Sequence, residues 1–501
     1  MSKIDVSKYF TPDLKQARKR TNQAIEELKF ELSDAHKKIG IDKFYFIHTY
    51  GCQGNEADSE SIAGILELMG FAKTEVEANA DVIIMNTCAI RENAENRVWG
   101  ELGRLKAYKR TNPDLIIGLA GCMPQEENVV ERVLKKYQHV DLVFGTHNIY
   151  KLPEYIETAL FSKERVIEVY SQEGEIVENL PKVRNHKYKA WVNIMFGCDE
   201  FCTYCIVPYT RGKERSRSRE EIIQEVKELA EQGYQEITLL GQNVDSFLWF
   251  GGGLKKDFKK ASEMAQATAV DFAQLLDLCA TKFPKTRFRF STSNPQDMSL
   301  DVIHTMAKHT NICKYIHLPV QSGSNAMLKA MNRQHTREEY MELVDNIYKI
   351  IPEMSLSQDM IVGFCGETEQ DHKDTLELME YVKYDFGFMF AYSERPGTLA
   401  GNKMDDDIPN SIKKRRLQEV INLQQEHALY RTQQHLGKTE EVLIEGTSKK
   451  NPNEWKGRNT QNTVIVFPKE NYKMGDFVMV KVEDCTSATL KGSAVGYSDN
   501  N

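Results

Sequence analysis

The sequence predicts an α/β protein in three parts: an N-terminal doubly wound parallel α/β domain, a central open partial (β/α)6 barrel, and a small C-terminal antiparallel β-barrel. Three observations predict this. Strand-like apolar runs alternate with helical stretches from Lys43 onward, which is the pattern of a parallel sheet. A polar stretch over 161–186, carrying Gln172-Glu-Gly-Glu and Pro181, divides the cycles into two groups and reads as a linker. From Lys438 the rhythm changes to short strands separated by Asn-Pro-Asn, Lys-Gly-Arg-Asn and Met-Gly-Asp turns.

At 501 residues the chain is too long for one ordinary core, and 41% apolar with 28% charged residues is a globular composition. A net charge of −8 argues against a surface that is basic throughout and leaves room for local basic faces. The polar opening Met1-Ser-Lys-Ile-Asp-Val-Ser-Lys8 and the lack of a long apolar run predict a cytoplasmic protein with no membrane span. In that reducing compartment ten cysteines are metal ligands or buried thiols before they are disulfides.

Residues 1–42 read as a helical extension, opened by Thr11-Pro12 and running through Ala17, Ala24, Leu28 and Leu32 on a thin apolar stripe. In the domain over 43–160, Phe44–Tyr50, Asp81–Thr87 and Leu115–Ala120 are strands followed by helical patterns, with a short run at Leu142–Phe144. Cys52, Cys88 and Cys122 each fall within two residues of a strand's carboxyl end, where such sheets bind ligands, so the three converge on one point. Any single one of them also reads as a small buried hydrophobe. Together they predict a holder for an iron–sulfur cluster with a vacant position.

The core over 187–416 has apolar runs at Trp191–Phe196, Ile237–Leu240, Phe288–Ser291, Tyr315–Leu318, Met360–Val362 and Phe386–Ala391, with a clear helix at Arg219–Glu231 stopped by Gly233. Its first loop reads Phe196-Gly-Cys198-Asp-Glu-Phe-Cys202-Thr-Tyr-Cys205. Three thiolates from one loop leave one iron of a four-iron cluster open to another ligand. A structural zinc site, the other reading of such a loop, wants four ligands, and no fourth Cys or His lies close by.

The later strand-end loops are rich in small, hydroxyl and amide residues suited to a polar cofactor. The expected contacts are Gly241, Gln242, Asn243, Ser291, Ser293, Gln321, Ser322, Arg333, Gly363 and Tyr392. The expected nucleic-acid contacts are Arg215, Arg217 and Arg219 beside the cysteine loop, Arg395, and Lys456, Arg458 and Asn459 in the tail; the first run also reads as a solvated helix face, and the tail as a packing module. Lys413-Lys-Arg-Arg416 is a second basic run, at home on a solvated helix face. A helical connector over 417–437 leads to the β-barrel over 438–501.

On these motifs the chain resembles the radical S-adenosylmethionine methylthiotransferases over almost its whole length after residue 42. Asn86-Thr-Cys-Ala-Ile-Arg-Glu-Asn-Ala-Glu-Asn-Arg97 and Phe196 through Arg217 look like the branch that acts on tRNA. The resemblance implies a radical SAM core, a tail of the type called TRAM, and two 4Fe-4S clusters, one per cysteine trio. It implies that S-adenosyl-L-methionine serves twice, as methyl donor at the N-terminal trio and as radical source at the central one. The implied substrate is a tRNA anticodon stem-loop carrying isopentenyladenosine, methylthiolated at C2. The implied company is an electron donor such as flavodoxin or ferredoxin, with the enzyme a monomer.

An aryl C–H offers no acidic proton, so no side chain is nominated as acid or base and the hard step falls to the cofactor. Two departures stand out: residues 1–42, and what reads as an insertion from Phe247 to about Thr268. The rival readings are a sister enzyme acting on threonylcarbamoyl-adenosine in tRNA or on a ribosomal protein aspartate, and an iron–sulfur RNA-binding scaffold without turnover.

Overall fold

In a computed structural model, which describes residues 4–10, 26–89, 92–169 and 175–500, six parallel strands build the N-terminal sheet. Their order is Ala72–Lys73, Phe44–Tyr50, Val82–Thr87, Ile116–Gly121, Leu142–Phe144, Val166–Glu168. Val82–Thr87 and Ile116–Gly121 are buried along their whole length, which is why they read as continuous apolar runs. Separate apolar cores cover the two faces of this sheet.

Two expectations about this region are corrected. The linker over 161–186 contains Val166–Glu168, the edge strand of the sheet, and Glu175–Glu178. Glu175–Glu178 pairs in parallel with Glu26–Lys29, so Leu28 lies in a strand and not in a helix. A thin apolar stripe cannot hold a helix by itself, and here a partner strand satisfies the backbone instead. Thr11, Pro12, Ala17 and Ala24 lie outside the described residues. Upstream, Val6 and Phe10 are buried against the sheet, Phe10 bridging to Val169.

The core is an open half-barrel of six parallel strands. Lys189–Asn193, Glu236–Leu240 and Arg287–Phe290 form one sheet; Tyr315–His317, Ser355–Val362 and Phe386–Ala391 form the other. A bridge between Phe288 and Ile312 joins them. Among the described residues the first and last of these strands do not pair, so the barrel stays open on that side. Helix Arg219–Glu231 begins where Ser218 Oγ accepts from Glu221 N at 3.2 Å and buries Ile222, Val226 and Leu229. The expected insertion begins with Leu248–Trp249, which pairs antiparallel with Val270–Asp271 just beyond its end, and sends Lys255 to Ser246 Oγ at 3.0 Å.

The expected boundary between core and connector at 416/417 falls inside one continuous helix, Asn410–Gln433, which packs against the half-barrel. Its basic run is partly internal. Lys413 bonds Asp406 and Tyr392 O, and Arg416 bonds Glu367 at 2.6 Å. The tail is a closed five-stranded barrel formed by Thr439–Thr447, Glu454–Arg458, Val464–Pro468, Phe477–Cys485 and Thr489–Tyr497. Val464–Val466 pairs in parallel with Thr489–Lys491, and the other pairings are antiparallel. This barrel sits on the floor of the half-barrel: Arg289 donates to Asn459 O at 2.6 Å, Arg287 to Arg458 O at 3.2 Å, and Tyr188 to Glu445 O at 2.7 Å. No helix among the described residues is long and apolar enough to cross a membrane.

Candidate active site

The N-terminal sheet brings Cys52, Cys88 and Cys122 together through its main chain. Cys88 N donates to Tyr50 O at 2.9 Å and Cys122 N to Thr87 O at 2.9 Å, so each continues the ladder one step past its strand. Cys52 caps helix Gln53–Leu68. Asn55, three residues on, accepts from Cys52 N at 3.3 Å and donates to Asn86 Oδ1 and Thr87 O, both at 3.2 Å. Asn86 returns bonds to Asn55 O and Ser59 Oγ, both at 2.8 Å. Gly121 makes this packing possible: at φ +101°, an added Cβ would stand 2.4 Å from Asn86 Oδ1 and from Thr87 O.

Arg211, from the core, reaches into this trio. Its Nε donates to Cys122 Sγ at 3.2 Å and its Nη2 to Asp58 Oδ2 at 2.7 Å, all within a buried pocket. A hydrogen bond from Cys88 pulls the Cys52 thiol well below its ordinary value, with help from the Arg211 charge against the opposing effect of burial. Burial pushes Cys122 up despite the same guanidinium.

The second trio lies on one loop clasped from both sides. Cys198 N donates to Gly212 O at 3.0 Å, Cys205 N to Cys202 O at 3.0 Å, and Asn332 Nδ2 holds the carbonyls of Glu200 and Phe201 at 3.2 and 3.1 Å. Arg333 Nη1 approaches Cys202 Sγ at 3.6 Å while Nη2 bonds Asn294 Oδ1 and Pro319 O. Burial and neighbouring thiolates push Cys198 well up and Cys205 up to about 12. Such thiols become thiolates when a cation is present to take them, so the donor set fits an iron–sulfur cluster. Among the described residues no three His, Cys, Asp or Glu side chains form a site for a single metal ion. A four-iron cluster does not ask for that, since each thiolate meets a different iron.

The two trios face one seam. Ile206, adjacent to Cys205, packs in a buried cluster with Cys122 and with Ala89, adjacent to Cys88. Gln125 Nε2 and Thr146 Oγ1 both donate to Thr210 O, at 3.1 and 3.2 Å, and Arg395 pairs with Glu95 at 3.4 Å across the same seam.

The expected cofactor contacts divide. Asn243 is buried at a strand end with its Nδ2 on Asp297 at 2.7 Å; among the described residues neither its Oδ1 nor Arg333 Nε has a partner. Orphaned polar groups beside the cysteine loop suit a polar cofactor. Ser291 and Ser293 stand on the same rim, Ser293 N donating to His317 O at 3.0 Å. Gln242 accepts from Gly197 N at 2.8 Å and so braces the loop, and Gly241 leaves room for Met195. Gln321, at φ +77°, donates from its N to Asp359 O at 3.0 Å.

Three of these expectations are corrected by packing. Ser322 is fully buried, with its hydroxyl engaged by Thr375 and Ser324 N. Gly363 makes room for Lys413, and its N–H goes to Glu367. Tyr392 is buried against Phe364 and Lys413.

Among the expected RNA contacts, Arg217 and Asn459 are corrected too. Arg217 is buried between Glu178, at 2.7 Å, and Glu225, at 2.7 Å, and Asn459 is wholly buried with Nδ2 on Glu440. Arg215 is buried between the domains, its Nη2 on Arg211 O at 3.3 Å. Arg219 is half-buried beside Glu220, while Lys456 and Arg458 share Glu445 at the barrel surface. Asn55, Asn86, Arg211 and Asn332 were not foreseen as site residues. A Cys-x-x-Asn helix start is a capping signal that points to Asn55; the others act through contacts remote in sequence.

A six-stranded parallel half-barrel with a CxxxCxxC loop at its mouth places the core in the radical SAM class. Family models agree: Uncharacterized protein family UPF0004 matches residues 44–145, the Radical SAM superfamily 192–379, and the TRAM domain 433–495. A tRNA-2-methylthio-N(6)-dimethylallyladenosine synthase of Flavobacterium johnsoniae is 54% identical over 92% of this chain and 95% of its own length. A protein of the same name from Bacillus subtilis is 48% identical over 99% and 95%. Among solved structures, the radical S-adenosylmethionine methyltransferase TsrM of Kitasatospora setae aligns with a TM-score of 0.48 at 12% identity, over 72% of this chain and 77% of that one. The chain belongs to the tRNA-2-methylthio-N(6)-dimethylallyladenosine synthase family.

Proposed function

We propose that this protein converts N6-isopentenyladenosine beside the anticodon of tRNA to its 2-methylthio derivative. The observation that carries the reading is that Ile206, next to Cys205 of one trio, packs in a buried cluster with Cys122 of the other. In this reading Cys52, Cys88 and Cys122 hold one 4Fe-4S cluster and Cys198, Cys202 and Cys205 the other. Asn243, Ser293 and Arg333 line the place of S-adenosylmethionine. Bound there, these groups would supply radical chemistry at C2 and a methyl group.

The chain's own part is positional. Asn55 and Asn86 fix one trio, Asn332 and Gln242 fix the loop of the other, and Arg211 ties the two domains in register. Ile206 and Ala89 keep water from the gap, which protects a reactive intermediate from side reactions. Arg219, Lys456 and Arg458 offer cations to phosphates at the surface. We place the enzyme in the cytoplasm as a monomer served by a donor such as flavodoxin or ferredoxin.

Mass spectrometry of tRNA nucleosides from a deletion strain tests the reading. Loss of 2-methylthio-isopentenyladenosine with build-up of isopentenyladenosine, reversed by the restored gene, is the expected result; an unchanged level rejects it.

A further inference from the structure

The last strand of the half-barrel, Phe386–Ala391, turns opposite faces to opposite surroundings. Gly387 and Met389 face the packed side: a Cβ on Gly387 would stand 2.4 Å from Gln358 Nε2 and 2.9 Å from Gln424 Oε1, and Met389 packs on the main core. Phe386, Phe388 and Phe390 face the other way and are 49%, 40% and 42% exposed. Three half-exposed phenylalanines on one face of an edge strand are unusual in a soluble protein and call for an occupant.

That face is the lumen. The Phe388 ring meets His317 edge to face at 6.1 Å, and His317 and Tyr315 both bond Ser357 Oγ, at 2.8 and 2.7 Å, on the neighbouring strands. Phe386 meets Phe388 edge to face at 4.9 Å. The other edge of the half-barrel is closed: Trp191 on Lys189–Asn193 is covered by Ala57 of the N-terminal domain. The floor is closed by the C-terminal barrel. From Phe386 to Phe390 the row climbs about 13 Å at ordinary strand rise. At its top the strand enters the loop whose Arg395 meets Glu95, the seam of the two cysteine trios. The row is therefore continuous with the reaction site.

We propose that Phe386, Phe388 and Phe390 form the subsite for the N6-isopentenyl group of the substrate adenine, making this strand the specificity-determining wall. The inference rests on the function proposed above and adds to it the residues that read the substituent. A five-carbon apolar group matches aromatic faces in size and polarity. A threonylcarbamoyl group would bring a carboxylate onto them, where the lumen's basic groups among the described residues are already paired, His317 with Asp359 at 3.5 Å. The lumen's Arg289 is already committed to Glu236, Asn459 O and Thr460 O, and Lys189 pairs with Glu445.

The test uses full-length, anaerobically prepared holoenzyme and two anticodon stem-loops that differ only in adenosine or isopentenyladenosine at the modified position. Wild-type protein binds the isopentenylated RNA at least about tenfold more tightly, the scale of discrimination an apolar pocket provides. Phe388→Ala and Phe390→Ala bring that ratio toward one while binding of the plain RNA holds, and Phe388→Leu restores most of it. The rings are half exposed, so these variants fold; circular dichroism and iron content check it.

A ratio that survives in the alanine variants overturns the inference. Equal weakening on both RNAs overturns it too, and makes the row a general base-stacking platform. Wild-type enzyme that leaves isopentenyladenosine unconverted rejects the proposed function itself, whereas conversion with an unaltered ratio in the variants rejects this subsite alone.

Discussion

Arg211 and Cys122 come from different domains, yet the guanidinium Nε of one donates to the thiol sulfur of the other at 3.2 Å. The same guanidinium bonds Asp58 at 2.7 Å, and both partners are buried. Arg211→Met leaves the Asp58 carboxylate without its counter-ion, which costs about 3–5 kcal/mol. Anaerobic denaturant unfolding should show that loss, together with iron loss from the N-terminal trio. An unchanged midpoint would contradict the pairing.

Each trio is expected to hold its own cluster. Replacing Cys52, Cys88 and Cys122 with alanine, or Cys198, Cys202 and Cys205, should each reduce iron and sulfide from about eight to about four per chain. If either triple variant removed all the iron, the two sites would not be independent.

Gly121 is needed for shape. An added Cβ meets Asn86 Oδ1 and Thr87 O at 2.4 Å, and φ is +101°. Gly121→Ala strains the turn by about 1–3 kcal/mol and displaces Cys122. The expected outcome is iron lost from the N-terminal site with the core's cluster spectrum retained, seen by electron paramagnetic resonance of the reduced protein.

A pH-dependent clamp joins the tail to the core. Burial by itself would raise the Glu236 carboxyl, but Arg289 and Arg287 outweigh it and hold it at about 2, against an ordinary value of 4.5. A lowered folded value stabilises the native state fully above 4.5, and the stabilisation drains away as pH falls from 4.5 through about 2. At neutral pH this linkage is worth about 3 kcal/mol. Glu236→Gln should therefore be less stable than wild type at pH 7, with the gap narrowing below pH 4.5; a gap independent of pH would refute the assignment.

Arg217 and Arg219 are neighbours in sequence with opposite duties. Arg217→Gln strips Glu178 and Glu225 of a shared buried partner and should destabilise the fold by about 3–5 kcal/mol. Arg219→Gln should leave stability alone and lower the salt slope of tRNA binding by about one. The reverse pattern would show that the buried residue is the RNA contact.

The contrast between those two arginines marks how far the sequence could be read. A basic run says how much charge is present and not which way each side chain turns, because a two-residue step on a bent segment moves a side chain from solvent to interior. Leu28 lies in a strand where its pattern predicts a helix for a related reason: its strand pairs with Glu175–Glu178, nearly 150 residues away, and no local pattern announces that partner. Ser322, Gly363 and Tyr392 sit in the right loops but point into packing.

What the sequence determined by itself was whatever is local or periodic. The spacing of Cys198, Cys202 and Cys205 lies within one loop, and the alternation of strand and helix puts Cys52, Cys88 and Cys122 at one end of one sheet. Only the tertiary structure decided that the two trios share a seam, that Arg211 crosses it, and that Phe386, Phe388 and Phe390 are left bare along an open edge. Those relations depend on how two domains dock and on which strands fail to pair, and contacts between distant segments leave no period in the chain to read.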